Sequence, residues 1–140
     1  MAYWLFKSEP STWSWQQQLD KDDEGEPWTG VRNHAAKKNM QLMKPGDQGF
    51  FYHSNQGKEI VGIVEVISGY LPDPTDESGK FGMVMVRSLS SLSRPVTLQE
   101  IKQIPDLAMM ALVTQSRLSV QPVRDHEWEI ICNLSEKADR

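Results

Sequence analysis

Trp28, Arg32 and Asn33 stand close together in "WTGVRNHAAKKNM", Trp28 to Met40, at what reads as the entrance of a short helix. An Asn at the cap position accepts from one of the unpaired N–H groups of the first turn, and Gly30 lets the chain bend before it. Neither Trp28 nor Arg32 is needed for that. A planar apolar face beside a forked cationic donor is equipment for holding a flat polar ligand. Three further stretches, "KSEP" (7–10), "YHSN" (52–55) and "RLSVQPV" (117–123), also place polar groups beside Pro or aromatic residues at element ends. Taken singly, each is turn chemistry. Brought together by a fold, the four would line one concave pocket with a stacking face and several donors and acceptors.

Other chemistries find less support. His34, His53 and His126 lack metal-ligand spacing, and no Gly-rich loop precedes a helix in the phosphate-cradling pattern, so neither a metal nor a cofactor is expected. His53 and Ser54 are strand neighbours that point to opposite faces, and the strained Gly-x-Ser-x-Gly turn of one hydrolase class is missing. No catalytic residue is assigned on these grounds.

At 140 residues, with 39% hydrophobic residues, the chain is expected to form a single domain over 1–140 with a real core. No apolar run approaches the roughly 20 residues of a membrane span, and "MAYWLFKSEP" has no basic n-region, so it reads as a strand rather than a secretory signal. The single cysteine, Cys132, lies in the apolar run "WEIIC" and reads as a buried thiol. These features point to a reducing compartment, the cytoplasm, or the nucleus if the source is eukaryotic; the sequence leaves the oligomeric state unknown, with a monomer favoured. The net charge of -4 argues at first against nucleic acid. It is all in one place: "DKDDEGE", Asp20 to Glu26, carries five acids and one Lys, which leaves the remainder neutral. Outside that loop, Lys7, Arg32, Lys37, Lys38, Lys44, Arg94 and Arg117 are free to form a local basic face.

Several elements would position these residues. "YWLFK" predicts a first strand, and Ser11 is expected to cap a short helix carrying Trp15 and Leu19. After the Asn33 cap, Ala36, Met40 and Met43 fall on one helical face, and "KPGD" stops the helix. "QGFFYHS" (48–54) and "EIVGIVEVISGYL" (59–71) predict an antiparallel hairpin, with Gly62 and Gly69 placed for bends or bulges. "GMVMVRSL" adds a strand with Val84 and Val86 on one face. Thr97 and Glu100 form a capping box with Val96 and Ile101 as a hydrophobic staple, and the helix they start is expected to end at Pro105. "RLSVQPV" is extended before Pro122, and Asp125 is expected to cap a last helix with Trp128, Ile131 and Cys132. Strands interleave irregularly with helices, which points to an α+β fold, a small mixed β-barrel with helices packed around it.

With these motifs in this order, from "YWLFKSEPS" through "WTGVRNHAAKKNM", "GDQGFFYHSN" and "GIVEV" to "RPVTLQEIK" and "RLSVQPV", nearly the whole chain resembles the EVE family, whose fold is PUA-like. The resemblance implies a PUA-like barrel and a non-enzymatic pocket for a modified base in DNA or RNA, akin to that of YTH readers of methylated RNA. Carried onto this chain, the pocket would draw on Lys7, Ser8 and Glu9, on Trp28, Arg32 and Asn33, on Ser54 and Asn55, and on Arg117, Ser119 and Gln121. The implied partner is nucleic acid carrying a modified base. Phe81 stands where relatives often carry Trp, so any wall built there is smaller.

Two other functions stay open on the residues alone. One is an enzyme acting on a nucleotide in the same pocket, with Glu9 or His53 as acid or base. The other is a sensor of a small molecule or nucleotide. A structural role for the opening cluster competes as well, with Trp28 in the core and Arg32 paired to Glu9.

Overall fold

In the computed structural model, which describes residues 1–136, the predicted order of elements is present with several additions. The elements are β1 (Tyr3–Ser8), α1 (Trp15–Asp20), β2 (Glu26–Pro27), α2 (His34–Leu42), β3 (Gln48–His53), β4 (Glu59–Val66), β5 (Leu71–Pro72) and β6 (Gly82–Met83). They continue with β7 (Met85–Thr97), α3 (Leu98–Lys102), α4 (Ala111–Thr114), β8 (Val120–Val123) and α5 (Asp125–Glu136). Six strands form one sheet in the order β2-β7-β4-β3-β1-β8, while β5 and β6 pair separately. Within the large sheet β1 and β3 are parallel and the other neighbours antiparallel. The last four positions of the expected 1–140 domain lie outside the described residues.

Alternation along the strands splits the core into two layers. Trp4, Phe6, Phe51 and Val64 face one layer, with Trp15, Trp28, Val31, Ala36 and Met40 from the first half of the chain. Leu5, Phe50, Tyr52 and Ile60 face the other, with Ile101, Leu107, Met110, Trp128 and Ile131 from the second half. Trp128 is sandwiched between Tyr3 and Phe50, with ring centroids 4.2 and 4.0 Å away. A break in register between Ile60 and Gly62 turns β4 over, so that Ile60 belongs to the second layer and Val64 to the first. Gly62 also has a packing reason: the Trp15 indole occupies the space a Cβ would fill, and its Nε1 donates to Ser91 Oγ at 2.9 Å. The bulge and the close approach together curl the sheet into a half-barrel.

Local expectations fare unevenly, for local reasons. Asn33 caps α2, accepting from Ala36 N at 2.9 Å, and Ala36, Met40 and Met43 are its buried face. Thr97 and Glu100 form their capping box, and the Arg94 guanidinium binds both carboxylate oxygens of Glu100 at 2.7 and 2.8 Å. The cap of α1 is Ser14, not Ser11, because Gln17 stands three residues on and completes a reciprocal box. β4 ends at Val66 rather than Leu71, since Ile67 N turns to Met85 O and residues 68–70 leave the ladder. β7 runs to Thr97, well past Leu89: its polar second half is held by backbone pairing with β4 and not by apolar alternation. α3 stops at Lys102, and Pro105 opens a 3-10 turn. Asp125 is the first residue of α5 and not its cap: Trp128 N already bonds Arg124 O, and Glu127 reaches back to Arg124 N at 2.8 Å.

Candidate functional site

β2 and β8 are the two edge strands of the curled sheet, yet one cavity takes residues from beside both. It holds about 510 Å³, within the roughly 300–1,000 Å³ of small-molecule sites, and lies where the open edges of the half-barrel approach each other. Lys7, Ser8 and Glu9 at the end of β1, Thr12 and Trp13 beyond it, Glu26 to Arg32, and Ser119 before β8 line it.

Trp28 closes the inner side. Only 8% exposed, it meets Phe6 and Phe51 edge to face at 5.2 and 5.7 Å, so the same ring is core on one side and cavity wall on the other. Core packing and a place in the cavity wall are therefore compatible for Trp28. Trp4, Trp13 and Trp15 place their indole N–H on Asp47, Gln18 and Ser91. Those of Trp28 and Trp128 have no acceptor among the described residues, and of the two Trp28 lines the cavity.

Arg32 is held, but not by Glu9. Its Nη1 donates to Asp73 Oδ2 at 3.1 Å and its Nη2 to Thr75 Oγ1 at 3.0 Å. Asp73 has a fully buried side chain and also accepts from Gly30 N at 2.9 Å and from the Thr75 N–H and hydroxyl at 2.7 and 2.6 Å. Burial alone would raise its pKa; the bonds from Thr75, Gly30 and Arg32 outweigh it and bring the carboxyl down to about 2. One carboxylate thus pins the 73–75 turn to two cavity-lining residues. Gly30 has φ of 81°, a left-handed conformation that suits glycine and aims its N–H at Asp73. Sequence reasoning missed Asp73, although an Asp followed two residues later by Thr is a turn signal of the kind Asp73 builds.

Lys7 ties the cavity lining to residues 116–119: its Nζ donates to Ser116 O at 2.7 Å, its backbone N–H donates to Ser119 O at 2.9 Å, and burial lowers its pKa. Thus the structure brings Lys7, Ser8, Glu9, Trp28, Arg32 and Ser119 together around one space. Asn33 and Arg117 line a neighbouring, smaller cavity of about 330 Å³. Ser54 and Asn55 line neither: Ser54 N bonds Ser8 O, and Asn55 takes φ of 64° in the β3–β4 turn. Gln121 is wholly buried and ties the preceding loop through Leu118 O at 2.8 Å. His53 is engaged as well, its Nε2 accepting from Trp15 N at 3.0 Å, and burial lowers its pKa against the opposing pull of Glu59. Phe81 lies off the main cavity, beneath Arg32 and Lys37 and beside His34.

A cap role and a ligand role for Asn33 can be told apart by substitution. Asn33→Ala should cost about 1 kcal/mol in chemical denaturation, and Asn33→Ser should restore most of it. A cap role alone predicts unchanged ligand binding in Asn33→Ser.

A mixed sheet curled into a half-barrel, with five helices packed on its faces among the described residues, defines a PUA-like domain. Residues 2–134 match the EVE domain, and the chain belongs to that family. Thymocyte nuclear protein 1 of Mus musculus is 32% identical over 96% of this chain and 74% of its own length. Among solved structures, a Rhodopseudomonas palustris protein is 57% identical, with a TM-score of 0.92 over 97% of this chain and 94% of that one. The human THYN1 protein, solved in complex with DNA containing 5-methylcytosine, is 29% identical, with a TM-score of 0.91 over 98% of this chain and 99% of that one.

Proposed function

We propose that this protein binds a modified nucleobase in the cavity at the barrel seam, without transforming it. The observation that carries the proposal is the composition of that cavity: the buried ring of Trp28, with Trp13, in one lining with cations, carboxylates and hydroxyls. A nucleobase has the complementary anatomy, an apolar face and an edge of donors and acceptors. The cavity admits a base only after it is turned out of its stack, which costs a few kcal/mol and is cheapest in single strands. Stacking on an aromatic returns about 1–3 kcal/mol per base. The human relative's complex with 5-methylcytosine DNA supports the choice of ligand.

Within the cavity the roles follow from donor and acceptor type. Lys7, Arg32 and the Trp28 N–H only donate, so they suit carbonyl and ring-nitrogen acceptors. Glu9 and Glu26, as carboxylates, only accept, and accepting from the exocyclic amine of cytosine is a recurrent carboxylate role. Pro27 and Val31, also in the lining, offer apolar surface for an added methyl group. Ser8 and Ser119 can do either. Asn33, Ser54, Asn55 and Gln121 act at one remove, by holding the loops in place.

Of the two groups offered as acid or base, Glu9 lines the cavity and His53 does not, its Nε2 being spent on the first turn of α1; a carboxylate without a histidine partner there favours binding over turnover. The test is a binding panel of matched DNA and RNA strands, unmodified or carrying a single methylated base. At least tenfold preference for one modified strand, equivalent to about 1.4 kcal/mol, is expected. Equal affinity across the panel would contradict base recognition, and ligand consumption would replace the reader with an enzyme.

A further inference from the structure

We infer that the second, smaller cavity holds the sugar-phosphate backbone adjoining the bound base, with Arg117 as the phosphate contact. This assignment rests on the base-binding reading of the main cavity and extends it from a base to a strand. The two cavities are neighbours along two separate segments of chain. Arg32 lines the first and Asn33 the second; Ser119 lines the first and Leu118 the second. Lys7 of the first lining bonds Ser116 O of the second, and with Ser119 O this clamps residues 116–119 to β1. A free base or nucleoside needs only the main cavity. A track of two adjoining cavities is what a polymer needs.

Charge gives the track its direction. Arg32, Arg87, Arg94 and Arg124 are all in ion pairs, whereas Arg117 is in none among the described residues. It is exposed and is the one charged residue lining the second cavity, beside the neutral polar side chains of Asn33, Gln115 and Ser116. The lining of the main cavity carries Glu9 and Glu26, the latter 3.7 Å from Lys21 and next to the turn Asp22–Glu24, whose Asp23 pairs with Arg87. A phosphate leaving the base site finds an uncommitted guanidinium at Arg117, where it can be bound bidentately. Contacts of this kind set register and orientation and carry no sequence information, so a weakly sequence-dependent reader is the expected result.

The test uses the full chain, with a methylated nucleoside and a short single strand carrying the same base as probes. Arg117→Gln should weaken strand binding about five- to tenfold near 0.1 M salt and reduce the slope of log K against log[salt] by about 0.7–1, the value of one phosphate contact. Nucleoside affinity should match the parent, and Arg117→Lys should keep the parental slope. An unchanged slope in Arg117→Gln, or the same proportional loss for nucleoside and strand, would overturn the assignment. Failure of the base reading shows differently, as equal binding of modified and unmodified strands, and the Arg117 slope can be read on either.

Discussion

Trp28→Ala should both destabilise the protein, by about 3–5 kcal/mol, and remove selective binding of the modified strand. The stability loss follows from the two edge-to-face contacts with Phe6 and Phe51 in a layer that also holds Val31 and Met40. Part of the binding loss would then come from slackening of the core. Trp28→Phe separates the two, because it keeps an aromatic in the layer while shortening the wall and deleting the N–H. A smaller stability loss with a clear fall in selectivity is the expected pattern. Full selectivity in a stable Trp28→Phe protein would restrict the ring to the core.

Asp73→Ala is the second large effect. The substitution removes the shared acceptor of the Gly30 and Thr75 N–H groups and frees the Arg32 guanidinium; Gly30 and Thr75 are exposed, so water takes over and each lost bond costs about 0.5–1.5 kcal/mol. Arg32 is 40% exposed, so its ion pair adds little through the solvent. A total of roughly 2–3 kcal/mol is expected by denaturant titration, with weaker ligand binding as Arg32 loses its anchor. The sign with pH follows from the depressed folded-state pKa. Asp73 binds a proton less readily folded than unfolded, so its contribution is complete above the usual value of 3.8 and is lost as pH falls through about 2. Glu100 acts in the same sense: the Arg94 contact, opposed by burial and aided by Thr97, brings it to about 2 from 4.5. In Asp73→Ala the acid limb of the stability profile should be shallower between about pH 4 and 2. A parallel profile would mean that the carboxylate is not ionised where it sits.

Much of this architecture is written in short-range signals. The Thr97–Glu100 box, the Asn33 cap and the apolar face of α2 each need fewer than about ten residues to specify, and each is where its pattern places it; the β3–β4 hairpin is present too, with β4 ending at Val66. The first half of the cavity was legible for a related reason: "KSEP" and "WTGVR" are stretches with more polar and aromatic groups than their turns require. What stayed hidden depends on long-range pairing. Arg32 meets Asp73 across 41 positions, and nothing local to either marks the other. The second half of β7 lacks alternation because its order comes from β4's backbone, and the curl at Ile60–Gly62 comes from an indole supplied by a helix 47 positions earlier. Gln121 carries the same polar signature as Ser119, yet one more step along the strand puts Val120 and then Gln121 in buried positions. Ser54 and Asn55 belong to a turn whose left-handed residue at 55 is backbone geometry, for which Asn is a common choice.

The indole N–H of Trp28 offers the most direct measurement of where a ligand sits. With five tryptophans in the chain, a ¹⁵N-labelled sample gives five indole resonances, assignable by Trp→Phe substitution. Three of these donors already have protein acceptors; Trp28 and Trp128 have none among the described residues, and of these two Trp28 lines the cavity. Titration with a short strand carrying the preferred modified base should shift the Trp28 resonance in a saturable way, with the same midpoint as the binding curve, while the unmodified strand leaves it near its free position. A modified strand that binds with that midpoint and leaves the Trp28 resonance unmoved would place the base elsewhere and contradict the account.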